Sequence, residues 1–270
     1  MDKYVPYKKI ADYFHIQKGS IIYLAADITK LANTARKNGE RFDPSVFINS
    51  FLEKLGTDGT LLIPTFNYDL RKKGYFDIIN TQPITGILAQ YALRQEGFLR
   101  TFNALHSFAV WGKYQNELCS IKNTDSFSED SPFGFLYKRC ATMIIIDLDL
   151  QSSLTFAHYT EQIENVKYRS FKKIPINYTF SDGHSEKIKF TLYAKKSGYI
   201  NNVNPLHGIF LNKGILRSKE VNGSRLEELD LCEAHKIMQH DIRDNKAANL
   251  VYFNMKQWAK HVVKSALGRS

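Results

Sequence analysis

After a polar turn at Gly19-Ser20, Ile21 to Ala26 forms an unbroken apolar run of strand length and reads as a buried strand. Asp43-Pro44-Ser45 then marks a helix start, with Asp43 as the cap and Pro44 at the first helical position. Val46, Phe47, Ser50, Phe51 and Leu55 recur at helical spacing, and Gly56 ends the helix. Gly59 to Pro64 reads as a second strand, cut off by its proline. Strand, helix and strand with short connections predict a parallel βαβ unit in an α/β fold.

Farther on, Gly86 to Gln95 predicts a helix, and Ser107 to Gly112 a strand. Met143 to Ile146 is short and strongly apolar, as an interior strand should be. Polar residues follow, then a helix expected from Thr155 to Val166. Between Ile174 and Tyr199 the β-branched and aromatic content rises. Turn signals at Ser181-Asp182-Gly183 and Ser197-Gly198 predict an antiparallel hairpin region there. From Ala248 the pattern turns helical, with Trp258, Val262 and Val263 on one side and Lys256, Lys260 and Lys264 on the other. That basic side is either a solvated face or a surface that meets an anion.

No Pro/Gly/Ser linker, low-complexity run or repeat interrupts the 270 residues, so one domain is expected over residues 1–270. No run of about 18 apolar residues is present. The polar start, Met1 to Pro6, lacks a signal-peptide apolar region. The expectation is a cytoplasmic protein without integral membrane association. Cys119, Cys140 and Cys232 form no C-x-x-C pair and are odd in number, so reduced thiols and no cysteine metal site are expected. The net charge of +10 and pI near 9.3 attract anions, including nucleic acid and phosphorylated small molecules. Without a zinc finger, an RNP-type motif or an arginine-rich block, nucleic acid is not expected as a partner.

Four segments carry candidate chemistry. Gly59-Thr-Leu-Leu-Ile-Pro-Thr-Phe-Asn-Tyr68 precedes Phe76-Asp77, then Thr81-Gln82-Pro83 and Gly86. Its strand ends at Pro64 and delivers Thr65, Asn67 and Tyr68 to a loop at the sheet edge, where α/β proteins bind ligands; an ordinary turn is the plainer alternative. Arg94 precedes Arg100-Thr-Phe-Asn-Ala-Leu-His-Ser-Phe-Ala109, closing at Gly112. Asp130-Ser131-Pro132-Phe133-Gly134 has Ser131 placed to cap a helix that Pro132 begins. Thr155-Phe-Ala-His-Tyr-Thr-Glu161 sets His158 and Glu161 three apart, on one helix face. A histidine titrates near neutral pH and suits proton removal from an amine. The H-x-x-E spacing is not H-E-x-x-H, so no zincin site is implied.

In order and spacing these segments resemble the aminoglycoside 3-N-acetyltransferase family, over about residues 10 to 175. The family patterns are G-T-L-x-x-P-T-F-x-Y, R-S-x-H-P-x-x-S-F-A-x-x-G, S-P before a helix, and T-x-x-H-x-x-E. Tyr168-Arg169-Ser170-Phe171-Lys172 is similar to a further family stretch. The resemblance implies a three-layer α/β/α sandwich around a mixed central sheet, while beyond it composition alone predicts an antiparallel extension and a C-terminal helix in residues 176–270. It implies direct acetyl transfer from acetyl-CoA to an amine, with no metal, His158 as general base and Glu161 beside it. Asp27, Thr29, Thr65, Arg100, Thr101 and Ser107 fall on its CoA side, where a guanidinium and hydroxyls suit phosphate or pantetheine contacts. Tyr68, Asp69, Thr155 and Asp149 fall toward the acceptor.

The sequence departs from the family at several positions. Ala25 and Ala26 replace a His and a Ser, Asn103 and Ala104 replace a His-Pro pair, and Asp147 and Asp149 follow a strand that commonly ends in glycines. Loss of the proline predicts a less rigid loop at 103–104. Aminoglycosides are polycations, whereas this chain is basic. The charge balance therefore favours a small-molecule amino-sugar acceptor that is nucleotide-linked and used in surface polysaccharide synthesis. An aminoglycoside acceptor, as in antibiotic resistance, and a catalytically degenerate ligand-binding relative are the alternatives. The sequence leaves the oligomeric state open, a homo-oligomer included.

Overall fold

The computed structural model describes residues 4–266, with Arg71 and residues 264–266 described by backbone alone. The expected polar start at Met1–Lys3 and the Lys264 side chain thus lie outside the described residues. The strands are β1 (Ile21–Ala26), β2 (Thr60–Pro64), β3 (Tyr75–Asp77), β4 (Leu99–Arg100), β5 (Phe108–Gly112), β6 (Thr142–Ile146), β7 (Arg169–Thr179), β8 (Ser185–Lys195), β9 (Tyr199–Asn201), β10 (Leu216–Val221), β11 (Ser224–Asp230) and β12 (Val251–Phe253). Seven of them form one sheet in the order β10-β11-β6-β1-β2-β5-β4. β1 pairs in parallel with both β2 and β6, while the flanking β11 and β5 run antiparallel. The sheet is therefore mixed.

Alternation along β1 explains why its sequence is apolar throughout. Ile21, Tyr23 and Ala25 face one core, and Ile22 and Leu24 face another on the opposite side. Helices Pro132–Lys138, Ala157–Ile163 and Leu231–Asp244 cover the first face. Helices Thr29–Lys37, Pro44–Leu55 and Ile87–Ala92 cover the second. This is the three-layer arrangement expected.

Local chemistry sets the helix ends. Asp43 accepts from Ser45 N at 2.8 Å, Pro44 holds the first helical position, and Gly56 ends the helix at φ 63°. Ser131 accepts from Gly134 N at 3.2 Å ahead of Pro132. Gly112 closes β5 at φ +103°, where an added Cβ would stand 2.1 Å from the Gly59 carbonyl oxygen.

β7 and β8 form a long antiparallel hairpin from the Arg169–Lys195 pair to Thr179–Ser185, and β3 joins it in parallel. The pairing starts five residues before Ile174 because Arg169 and Ser170 already find partners on β8. Two expectations are corrected. Residues 248–253 are not helical: Leu250 and Val251 are buried, and β12 pairs with β9, so the helix begins only at Met255. Cys140 and Cys232, expected as reduced thiols, form a disulfide. The sheet brings residues 92 apart in sequence to a Cα separation of 5.1 Å, leaving Cys119 free. Among the described residues, no helix is long and apolar enough to cross a membrane.

Candidate active site

Because β1, β2 and β6 run parallel, their carboxyl ends emerge at one edge of the sheet. Open α/β sheets bind ligands at such edges. A cavity of about 540 Å³ lies there, lined by Ala25 and Ala26 of β1, by Phe66 and Tyr68 beyond β2, and by Ser153 and Thr155 beyond β6. Four of the residues expected in the site meet in it: Asp27, Thr29, Tyr68 and Thr155. Asp27 Oδ1 accepts from Thr29 N at 2.9 Å and steadies the start of helix Thr29–Lys37 at the cavity wall. The departures Ala25 and Ala26 place small side chains where larger ones were expected.

Other expected contacts are corrected. Arg100 does not reach the cavity. It is 7% exposed and donates to Ser107 Oγ at 3.0 Å, Thr81 O at 2.6 Å and Thr65 O at 2.9 Å. Its guanidinium is a brace between loops, not a free phosphate ligand. Thr65 and Ser107 are buried with it and bond each other at 2.9 Å, while Thr101 Oγ1 accepts from Phe108 N at 2.9 Å. Asp149 is a helix cap, accepting from Ser152 N at 2.8 Å and Asn204 Nδ2 at 3.1 Å. The Ser152 contact, more than burial opposes it, holds its carboxyl below the usual range. Asp69 is exposed before the short helix Leu70–Lys73 and does not line the cavity. Asp147, at φ 51°, accepts from Arg225 N at 2.9 Å.

The loop at 103–104 does not loosen without its proline. Asn103 Oδ1 accepts from Leu105 N and His106 N, both at 3.1 Å, and so ties the turn itself.

One turn beyond Thr155, His158 projects from helix Ala157–Ile163, its amide donating to Thr155 O at 3.0 Å. His158 Nδ1 lies 2.6 Å from Glu161 Oε2. Glu161 is 1% exposed, and it also pairs with Arg169 Nε at 2.6 Å and accepts from the Tyr168 hydroxyl at 2.9 Å. Arg169 is itself anchored, donating to Tyr193 O at 3.1 Å and Asn201 Oδ1 at 3.0 Å. A carboxylate only accepts, so Nδ1 carries the proton and Nε2 keeps its lone pair. The Arg169 Nη2 atom, 3.0 Å from Nδ1, is then a charge beside the ring and not a donor to it.

These neighbours set the charges. Burial and the nearby Arg169 lower the His158 pKa, with Glu161 opposing them, so the imidazole is neutral near pH 7. Burial alone would raise the Glu161 carboxyl, but His158, Arg169 and the Tyr168 hydroxyl hold it below the usual range. The pair is therefore a neutral imidazole braced by a fixed carboxylate.

Two partners of this group escaped the sequence reading as site residues. Arg169 lies in a stretch similar to the family, yet no spacing ties it to Glu161. His106 packs its ring 4.7 Å from Phe127, whose ring also meets His158 at 5.5 Å, and 5.5 Å from Tyr68. Its Nδ1 lies 2.8 Å from Ser126 Oγ, and burial, with His158 nearby, pushes its pKa down to about 3. Only the fold brings these rings together.

The sequence profile of the aminoglycoside 3-N-acetyltransferase family matches residues 36–242. No curated protein sequence matches the chain. Solved structures share its fold. AAC-IIIb in binary complex with CoASH superposes with TM-score 0.72 at 16% identity, covering 89% of this chain and 98% of that one. AAC-VIa bound to sisomicin, in a room-temperature neutron/X-ray structure, gives TM-score 0.76 at 12% identity, covering 90% and 99%. The YokD protein from Bacillus subtilis gives TM-score 0.70 at 15% identity, covering 92% and 97%. With the family profile spanning most of its length, the chain belongs to the aminoglycoside 3-N-acetyltransferase family of acetyl-CoA-dependent N-acetyltransferases.

Proposed function

We propose that the protein acetylates an amine of a nucleotide-linked amino sugar, with His158 as general base. One observation carries the chemistry: Nδ1 of His158 is pinned to buried Glu161, which leaves Nε2 unprotonated one turn from the cavity end at Thr155. Acetyl-CoA supplies an activated thioester carbonyl. The cavity of small and aromatic side chains holds its pantetheine arm. The acceptor arrives as an ammonium without a lone pair. His158 Nε2 takes its proton, and Glu161 stabilises the imidazolium that results. Arg169 and Tyr168 keep the carboxylate in place. The amine nitrogen bonds to the acetyl carbon as the carbon–sulfur bond breaks, the nitrogen's surplus proton passes to the departing sulfur so that CoA leaves as the thiol, and the proton held by His158 is released to solvent. Burial pushes the free Cys119 thiol up to about 11, which makes it a poor nucleophile and favours direct transfer over a cysteine relay.

The acceptor class rests on charge. An excess of ten positive charges steers anions toward the protein and polycations away. Family membership favours a second reading, in which the acceptor is an aminoglycoside. Thiol release from acetyl-CoA, measured with nucleotide-linked amino sugars, free amino sugars and aminoglycosides, separates the two. Turnover confined to aminoglycosides would replace the first reading with the second.

A further inference from the structure

The helix Met255–Ala266 is amphipathic, yet its apolar side is not the side turned toward the protein. Met255, Trp258, Ala259, Val262 and Val263 follow the three- and four-residue spacing that sets side chains on one helix face. Gln257 and His261 fall on another face, and they line the groove that the helix shares with Lys195 and Lys196 at the end of the β7–β8 hairpin. No residue from Met255 to Val263 enters any of the apolar cores. Met255, Trp258, Val262 and Val263 are instead 44–70% exposed. The helix is held at its start, where Asn254 N donates to Gly198 O at 2.7 Å and Asn254 Oδ1 accepts from Gln257 N at 3.0 Å.

Charge of one sign frames this outward stripe. Lys256 and Lys260, four apart and both exposed, flank it. From Asn245 to Ser270 the chain holds five lysines and arginines and no acidic residue. The ring of Phe253, 6.4 Å from that of Trp258, extends the apolar surface. An apolar helix face with a tryptophan at its edge and lysines beside it suits the interface of an anionic bilayer. Area favours the same occupant. A helix of 12 residues is about 18 Å long and about 10 Å wide, so its stripe offers roughly 200 Å². A stable protein interface takes about 800 Å² from each partner. A second copy of this chain would also bring like charge against the stripe. Nucleic acid would meet the lysines and leave the stripe in water. A bilayer needs no matching surface and supplies the opposite charge.

We propose that the helix Met255–Ala266 docks the protein on a bilayer surface rich in anionic phospholipid. The apolar stripe sinks into the headgroup region, and Lys256 and Lys260 meet lipid phosphates. The helix lies on the membrane and does not span it. The inference is independent of the acceptor and of the role given to His158.

Co-sedimentation of the full chain with phospholipid vesicles tests this. The chain has two tryptophans, Trp111 in β5 and Trp258, so the variant Trp111→Phe leaves Trp258 as the one fluorescent reporter. The expected result is binding to mixed phosphatidylcholine and phosphatidylglycerol vesicles, little binding to phosphatidylcholine alone, and weakening with added salt. Trp258 emission should shift to the blue and be quenched by lipids brominated near the headgroup. Lys256→Gln/Lys260→Gln should lower the partition about twenty-five-fold, about five-fold per lysine. Val262→Asp should lower it at least about ten-fold. All three variants should keep the thermal unfolding of the wild type to within a few degrees, which verifies their fold. Absence of binding to the mixed vesicles, binding with unmoved Trp258 emission, or equal binding by Val262→Asp would overturn the proposal. So would a lipid-free dimer that buries Trp258, which would make a second copy the occupant, or a preference for random-sequence DNA over the vesicles.

Discussion

Replacing Glu161 with glutamine keeps the shape of the side chain and removes its charge. The carboxylate is 1% exposed and meets His158 Nδ1 at 2.6 Å, Arg169 Nε at 2.6 Å and the Tyr168 hydroxyl at 2.9 Å. Arg169, only 6% exposed, has no other carboxylate in contact among the described residues. Stranding a buried charge in this way costs about 3–5 kcal/mol, a large share of the roughly 5–15 kcal/mol that holds a typical domain together. In catalysis the variant loses both the lock on the imidazole tautomer and the charge that stabilises the imidazolium. A fall in kcat of about 10²–10⁴-fold follows, the range set by a positioned base. The pH profile supplies a third reading. Glu161 raises the His158 pKa against burial and Arg169, so its neutralisation lowers that pKa further. The base acts when deprotonated, and the acid limb of kcat/KM should move to lower pH while its plateau drops. Thiol release followed from pH 5 to 9, with urea unfolding on the same preparation, measures all three. A variant within three-fold of wild-type kcat, with an unmoved limb, would refute the role of the carboxylate. Unchanged stability would refute the dependence of Arg169 on it.

In the wild-type enzyme the acid limb of kcat/KM should lie below the ordinary histidine value of about 6.5, because burial and Arg169 lower the His158 pKa; a limb above 7 would contradict this. Ala26→Phe should fill the cavity at the end of β1 and raise the KM for acetyl-CoA more than about ten-fold, the loss expected for a wedge in a well-fitted pocket, with kcat at saturation less affected; an unchanged KM would place the donor elsewhere. Arg100→Met should lower unfolding stability by about 2–4 kcal/mol, since it removes three hydrogen bonds made by a charged, buried guanidinium, yet leave acetyl-CoA affinity in folded protein nearly unchanged; the reverse pattern would restore Arg100 as a phosphate ligand.

The elements legible in the sequence are those whose pattern is local. Ile21–Ala26 and Met143–Ile146 are apolar on both faces because both faces of the central sheet are covered, and Asp43-Pro44 and Ser131-Pro132 carry their own helix starts. β11 was illegible for the opposite reason. It reads Ser-Arg-Leu-Glu-Glu-Leu-Asp, a charged run, yet Glu227 and Glu228 are buried. Their partners, His207 at 2.7 Å and His15 at 2.7 Å, lie 20 and 213 residues away. The candidate site divides along the same line. His158 and Glu161 were readable because one helix turn joins them. Arg169 was not assigned, since its contact with Glu161 forms only when β7 docks. Arg100 misled because a guanidinium beside hydroxyls suits a phosphate as well as it suits the three backbone and side-chain oxygens it meets here.

His158→Ala tests the central claim most directly, assayed as thiol release from acetyl-CoA with whichever acceptor the wild-type enzyme turns over. The prediction is a fall in kcat of about two to four orders of magnitude with the KM for acetyl-CoA nearly unchanged. The residual rate should climb at high pH, where the acceptor amine loses its proton unaided. A variant that keeps a third or more of wild-type kcat near pH 7 would contradict the account, for the amine would then be deprotonated by some other group.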